Sequence, residues 1–324
     1  MSERSVANTT QKGALDLDIS LVIPAYNESG SIKQLLDASV KILESTGMSY
    51  EIIVINDGST DDTLERLIKL MDSLSQLRVI DLSRNFGKEA ALTAGMDAAT
   101  GRGVIPMDAD IQHPPELIPL LIERWKQGFD VVLCRRASRK SDHWLQRRIS
   151  SQFYRVHNAL SELVIPQDVG DFRLLDRKVV EALKLMPERR RFMKGIFAWV
   201  GFRTTIVEFE ANARFSGKSH FSGWRLWNFA LEGITSFSTV PLRIWTYIGG
   251  VISLGAIGYA AKVVISTIFY GTDLPGYPSL FCAILFLGGV QLIGIGVLGE
   301  YVGRIYNEVK QRPIYLIRSR HGFH

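Results

Sequence analysis

The sequence has little of what disulfide-rich or zinc-binding proteins need. Its 324 residues include only two cysteines and six histidines. Cys134 and Cys282 lie in apolar runs, with no C-x-x-C and no other metal-ligand spacing, so we interpret both as reduced packing residues. Residues 1–18 lack the apolar stretch of a cleavable signal peptide. We therefore expect a flexible N-terminus, and we expect the part that follows it to stay in the cytoplasm.

One nucleotide-binding motif in the sequence is incomplete. Gly217-Lys218-Ser219 has the ending of a P-loop, but Asn212 stands where that loop needs glycine.

The net charge of +5 suits anionic lipid, a phosphorylated substrate or nucleic acid alike. Aromatic residues cluster beside the apolar segments and do not interleave with basic residues on one face, which is unlike a nucleic-acid-binding surface. We therefore expect no nucleic-acid partner.

Short runs of valine, isoleucine and leucine alternate with amphipathic stretches in the first part of the chain. This alternation predicts βαβ units and a largely parallel sheet, with ligand sites at the carboxyl ends of the strands. Helical spacing after residue 59 predicts a helix, for which Ser59 and Asp62 resemble a capping box. The predicted strands are 19–24, 51–56, 77–82, 103–107 and 129–134, within a head domain of residues 19–220.

The last third of the chain is apolar. Residues 221–240 have the aromatic content of an amphipathic helix in the lipid interface. Two apolar segments, 241–270 and 279–298, are each long enough for the ~20 residues that cross a bilayer. Their connecting loop carries no lysine or arginine, whereas both flanks do, so both ends should face the cytoplasm. We predict two transmembrane helices within 241–303 and a basic cytoplasmic tail, 304–324.

Asp108, Asp110 and Gln112 follow the predicted strand 103–107. Residues two apart in an extended chain point to the same side, so these oxygen-bearing side chains can converge on one point. Mg²⁺ and Mn²⁺ prefer such oxygen ligands. The alternative is an ordinary acidic loop, because D-x-D is common. We predict a divalent metal site that neutralises a diphosphate leaving group.

Two earlier strand ends supply a candidate nucleotide site. The carboxylate of Asp57 can accept the N3–H of uracil, while Tyr26 can stack on the base and Pro24 can shape the pocket. Asp57 with Gly58 is equally typical of a turn that leads into a capped helix.

Taken together, these motifs resemble glycosyltransferase family 2, and within it the polyprenyl-phosphate branch of bactoprenol glucosyltransferases and dolichol-phosphate mannose synthase. The matching segments are 22–28, 56–59, 84–88, 108–116, 171–173 and 214–219. The resemblance implies an α/β head with the GT-A fold, and transfer that inverts the anomeric centre. It also implies roles by position. The residues that would contact the nucleotide are Pro24, Tyr26, Glu28 and Asp57, and those that would flank it are Gly87 and Lys88. Asp108 would lie near the ribose and the metal, and the metal ligands would be Asp110 and Gln112. The diphosphate would be covered by Arg214 and Lys218.

The basic stretch after residue 134 is a candidate acceptor site. A phosphate monoester is mostly dianionic at pH 7 and therefore needs positioning more than a strong general base. By the same resemblance, Arg135, Arg147 and Ser151 are predicted to bind the acceptor phosphate. A separate hypothesis is that Asp171 orients an arginine on the acceptor side. The alternative for the other basic residues of this stretch, Arg136, Arg139, Lys140 and Arg148, is a face attracted to anionic lipid. For Asp171 the alternative is a structural salt bridge.

The function implied is transfer of glucose from UDP-glucose to undecaprenyl phosphate at the cytoplasmic face of the inner membrane. Other sugars, and a homo-oligomer, stay open. A processive polysaccharide synthase is an alternative, but Leu121 stands where its Q-x-x-R-W motif needs glutamine. A catalytically silent membrane scaffold that binds nucleotide sugar is the other alternative.

Overall fold

A computed structural model describes residues 17–109, 114–136, 169–209 except 187, 190 and 192, and 276–323, with helical positions between 245 and 269. The chain divides into two compact units. The first comprises Met1–Arg147, Pro166–His220 and Pro313–His324, and the second Arg148–Ile165 and Phe221–Arg312. Every described site residue discussed below belongs to the first unit, whereas the predicted acceptor residue Ser151 falls in the second.

The first unit is built on one eight-stranded sheet. Its strand order is β7-β5-β6-β4-β1-β2-β3-β8. The first three strands along the chain lie parallel to one another, and β1 also pairs in parallel with β4. The strands are β1 (Ile19–Ala25), β2 (Tyr50–Asn56), β3 (Leu77–Leu82), β4 (Gly103–Pro106), β5 (Val131–Arg136), β6 (Val169–Asp176), β7 (Thr204–Phe209) and β8 (Ile317–His321).

The central strands are buried on both faces. Every residue of β2 is buried, and β1 is buried except for Pro24, as the continuous Val, Ile and Leu runs predict for a parallel sheet covered by helices. The predicted α/β fold with a mostly parallel sheet is therefore confirmed. The helices of the first unit are α1 (Ile32–Ser45), α2 (Thr63–Met71), α3 (Lys88–Ala98), α4 (Ile118–Lys126), α5 (Arg177–Lys184) and α6 (Met193–Trp199).

The C-terminal segment differs from the predicted tail. Instead of a separate tail, Ile317–His321 forms β8, which pairs antiparallel with the edge strand β3. Two further contacts fix this segment, since the Ser83 N–H donates to the Leu316 carbonyl and the Tyr315 hydroxyl donates to Asp97. The sequence pattern did not reveal β8 because its alternation of Ile, Ser and His with two arginines is only weakly apolar.

In the second unit, the helix α7 (Tyr277–Val309) spans 33 residues. Its stretch Phe286–Val309 is long and apolar enough to cross a membrane, and none of it is buried within the protein. It is the one such helix among the residues that the structure describes. The first predicted span is described only at isolated helical positions, of which Trp245 lies beside Gly294 of α7. The predicted interfacial helix, 221–240, lies outside the described residues.

Candidate active site

The ends of β1 and β2 are tied together by side-chain hydrogen bonds. The Asn27 N–H donates to Ser59 Oγ (3.0 Å), and the Thr60 N–H donates to Asn27 Oδ1 (2.8 Å). Asn27 adopts a left-handed conformation, φ 56°, which asparagine tolerates better than most residues. Ser59 therefore links two loops. The predicted capping box is wrong, because α2 begins at Thr63 and has Asp62 as its N-cap.

Asp57 is held by the loop that precedes α3. Its Oδ1 accepts the Phe86 N–H at 2.8 Å, and its Oδ2 accepts the Gly87 N–H at 2.9 Å. The side chain is buried, and burial raises its pKa, although the two backbone N–H groups and the charge of Arg84 oppose that rise. Each oxygen retains a lone pair, so a further donor such as a nucleobase N–H can still be accepted.

Gly58 allows this loop to approach closely. Its φ is +62°, and a Cβ at this position would lie 2.4 Å from the Arg84 carbonyl carbon and 2.5 Å from the Asn85 nitrogen. Only glycine fits such a contact without a backbone shift. The conformation of Gly58 therefore sets the distance between the β2 turn and the loop before α3.

Lys88 joins the ends of two further strands. Its Nζ lies 2.6 Å from Asp108 Oδ1, just after β4, and 2.5 Å from Asp171 Oδ2 in β6. Burial lowers the pKa of Lys88, but the charges of the two carboxylates outweigh that effect and hold its pKa above the usual value. Since Lys88 follows Gly87, the loop before α3 and the first residue of α3 together contact Asp57, Asp108 and Asp171.

Asp171 lies in strand β6. The neighbouring Arg173 is 3% exposed and donates to the carbonyls of Gly170 and Asp171. Its guanidinium also lies 4.0 Å from the centre of the Phe197 ring. Burial lowers the pKa of Arg173 to about 10, so the group remains charged at neutral pH. Arg173 thus fixes the backbone that carries Asp171.

Other predicted site residues lie around this centre. Tyr26 is 46% exposed at the end of β1, where a flat ligand can reach it. Glu28 accepts the Ser31 hydroxyl, and its N–H donates to Thr63. Arg135 forms an ion pair with Glu208 of the neighbouring strand β7. Predicted residues outside the described ranges are Asp110, Gln112, Arg147, Ser151, Arg214 and Lys218.

Two carboxylates among the described residues have the chemistry that a divalent cation prefers. Within the described part of the chain no group of three or more His, Cys, Asp or Glu side chains could hold a metal. The carboxylates of Asp108 and Asp171 nevertheless lie close enough to share one ammonium group. Both are hard oxygen donors of the type that Mg²⁺ and Mn²⁺ prefer, so the residues present fit such an ion.

The profile of glycosyl transferase family 2 matches residues 20–184. The chain belongs to glycosyltransferase family 2. It is 52% identical to the bactoprenol glucosyl transferase of Shigella phage SfX, over 94% of this chain and 100% of that protein. It is 51% identical to an uncharacterized glycosyltransferase of Synechocystis, over 95% of this chain and 97% of that protein. The chain is therefore a glycosyltransferase.

A solved structure of the glucosyl-3-phosphoglycerate synthase of Mycobacterium tuberculosis is 22% identical to this family 2 protein. The similarity covers 67% of this chain and 76% of that chain, with a TM-score of 0.45.

Sequence reasoning missed several residues that shape the site. It gave no role to Arg173, although this residue lies in one of the matched segments, and none to Asn56 or Asp81. Asn56 Nδ2 donates to Asp81 Oδ1 at 2.7 Å, between the ends of β2 and β3. Polar residues at successive strand ends are the signal that could have identified this pair.

Proposed function

We propose that the protein is a membrane-bound enzyme that transfers a sugar from a nucleotide donor to a polyisoprenyl phosphate. UDP-glucose and undecaprenyl phosphate are the expected substrates. The observation that carries the proposal is the similarity to the phage SfX bactoprenol glucosyl transferase, which covers 94% of the chain. That similarity includes the apolar C-terminal segments as well as the head, so it extends to the parts that would meet a lipid.

In this proposal the loops that follow strands β1 and β2 hold the donor nucleotide. Tyr26 stacks on the base, Pro24 shapes the pocket, and Asp57 accepts a base N–H. The contacts of Asp57 with the Phe86 and Gly87 N–H groups support this role, because they fix the carboxylate before the ligand arrives. Arg214 and Lys218 are proposed to close over the diphosphate.

Asp108, with Asp110 and Gln112, is proposed to hold Mg²⁺ or Mn²⁺. When bound, the cation supplies positive charge against the diphosphate leaving group. Lys88 holds Asp108 and Asp171 in place and reduces the repulsion between them. Asp171 thereby faces the reacting centre from β6.

The acceptor phosphate is proposed to bind Arg135, Arg147 and Ser151. A dianionic phosphate oxygen attacks the anomeric carbon directly, so these residues orient it and do not need to deprotonate it. Attack from the side opposite the diphosphate inverts the anomeric centre, and a sugar α-linked in the donor leaves β-linked to the lipid phosphate.

Two membrane crossings and a cytoplasmic head are also part of the proposal. Strand β8 follows α7 in the chain, yet it pairs with β3 of the head. A chain that leaves the head and returns to the same sheet must cross the bilayer an even number of times. If α7 crosses once, the segment between 210 and 276 supplies the other crossing.

A transfer assay tests the proposed function. Membranes containing the protein receive undecaprenyl phosphate and, one at a time, radiolabelled UDP-glucose, UDP-galactose, UDP-N-acetylglucosamine and GDP-mannose. We expect one donor to label a single-sugar lipid, EDTA to stop the reaction, and Mg²⁺ or Mn²⁺ to restore it. Asp110→Ala should reduce turnover at least about 100-fold.

The matched control is Asp72→Ala, at an exposed acidic residue after α2, which should keep full activity. Labelling of no lipid from any donor would contradict the proposal and favour a silent scaffold. A long sugar polymer as product would favour a processive synthase. Full activity of Asp110→Ala would exclude the proposed metal site.

A further inference from the structure

Strand β8 contains an irregularity next to the candidate nucleotide site. The β3–β8 ladder pairs Asp81 with Ser319 and Leu82 with Ile317, so Arg318 has no partner residue across the ladder. Such bulges alter the direction of a side chain relative to its regular position. Arg318 is thereby brought to Asp81, where Nη1 lies 3.2 Å from Oδ2.

Asp81 is a buried carboxylate. Its side chain is 1% exposed, and it accepts hydrogen bonds from Arg318 on one oxygen and from Asn56 on the other. Removing the charged partner of a buried carboxylate strongly destabilises the folded protein. Arg318 also donates to the Ser83 carbonyl at 2.7 Å, which fixes its guanidinium at the end of β3.

The same hydrogen bonds continue into the β2 turn. Asn56 gives its amide N–H to Asp81, and its Oδ1 accepts the Ser59 N–H at 3.4 Å. Ser59 Oγ in turn accepts the Asn27 N–H in the β1 loop. A continuous set of contacts therefore runs from Arg318 to the two loops that are proposed to hold the nucleotide.

We infer that Arg318 is a positioning residue for the donor nucleotide, acting through Asp81 and Asn56 on the turn that carries Asp57. This inference rests on the proposed nucleotide site. Among the described residues, Arg318 donates its hydrogen bonds to Asp81 and Ser83. It keeps Asp81 and Asn56 in one arrangement, and Asn56 then holds the backbone of the β2 turn. The segment that follows α7 thus takes part in donor binding without contacting the donor.

Titration of the purified full-length protein with UDP tests this inference. Arg318→Gln should raise the Kd for UDP roughly fivefold, within the range by which substitutions along a contact network change coupling. Arg318→Lys, which keeps the charge, should recover part of the loss. In the transfer assay, the KM for the sugar donor should rise while the KM for the lipid acceptor stays unchanged.

Arg320→Gln is the matched control. Arg320 is an exposed arginine on the same strand, near Phe323, and it lies opposite Ile80. Its substitution should leave the Kd for UDP unchanged. A double-mutant cycle adds Asp81→Asn, and we expect the Asp81→Asn/Arg318→Gln pair to lose much less than the sum of the single losses.

Hydrogen exchange separates this inference from the proposed function. Arg318→Gln should speed exchange of the Ser59 and Thr60 amides, and Arg320→Gln should not. Unchanged exchange at the turn, an unchanged Kd, or additive losses in the cycle would each overturn the inference. A wild-type protein that binds no UDP would instead refute the proposed nucleotide, while the exchange data would still decide whether Arg318 controls the turn.

Discussion

At the scale of single residues, Gly58 limits what the site tolerates. Gly58→Ala adds a Cβ that meets backbone atoms of Arg84 and Asn85, in a conformation with positive φ. We expect the free energy of unfolding to fall by about 2–4 kcal/mol, because strain and overpacking add. Chemical denaturation of the detergent-solubilised protein, followed by circular dichroism, measures this loss.

Gly30→Ala is the control for that substitution. A Cβ at Gly30 would meet no atom within 4 Å, and its backbone has no positive φ. Its stability should stay within about 0.5 kcal/mol of the wild type, or rise slightly. Equal stability of the two variants would show that the close approach at Gly58 is not a constraint.

Sequence alone located the acidic strand ends but not the contacts between them. Asp57 and Asp108 are predictable because each directly follows an apolar run. The position of Lys88 between Asp108 and Asp171 is not predictable from spacing, since these residues are joined only when β4 and β6 become neighbours in the sheet. Arg173 was missed for a different reason: charged residues are almost never fully buried, so nothing in the sequence indicated that this arginine lies in the interior.

At the scale of secondary-structure elements, β8 is expected to stabilise the head. We predict that deleting residues 314–324 lowers the melting temperature of the protein by about 10 °C, because the edge of β3 loses its hydrogen-bonding partner. An exposed edge strand also promotes association between molecules. Thermal unfolding and size-exclusion chromatography measure the two effects.

Arg320→Gln, which leaves the β3–β8 ladder in place, serves as the comparison for the deletion. We expect its melting temperature and elution volume to match those of the wild type. A deletion variant that melts and elutes like the wild type would mean that β8 adds nothing to the stability of the sheet.

The strands of the head were predicted well and its irregular parts were not. Buried parallel strands are continuous apolar runs, so β1 to β5 were located to within two residues. The strand β6 carries Asp171 and Arg173 between its apolar residues, and this mixture is not typical of a buried strand. The start of α2 was misplaced because Ser59 bonds to a distant loop, a contact that local sequence does not indicate.

At the scale of the whole molecule, α7 is expected to anchor the protein in a bilayer. A helix of 33 residues is about 50 Å long, which exceeds the ~30 Å hydrocarbon core. We predict that the protein stays in the membrane pellet after alkaline carbonate extraction. Single cysteines placed in a Cys134→Ser/Cys282→Ser background then report on topology.

With a membrane-impermeant maleimide, a cysteine at 273 should be labelled from outside intact cells. A cysteine at 320 should be labelled only after the cells are opened. Labelling of both positions from outside, or release of the protein by carbonate, would contradict the proposed topology.

The membrane part of the molecule was only partly predictable from the sequence. Apolar length correctly indicated a helix after residue 279, but it placed the end of the span at 298, whereas the candidate stretch continues to Val309. The continuation contains three charged residues, Glu300, Arg304 and Glu308. Glu300 and Arg304 pair with each other at 3.0 Å, which reduces the cost of placing their charges in this helix.

The pairing of β3 with β8 also determines the order in which the protein can be completed. Arg318 and Ser83 are 235 positions apart, and every segment between them must be synthesised before the edge of β3 receives its partner. Until then the head has an open edge while the ribosome is still supplying the apolar helices. Closure of the sheet is therefore a late event in biosynthesis, and under the proposed topology it follows the passage of the chain through the membrane and back.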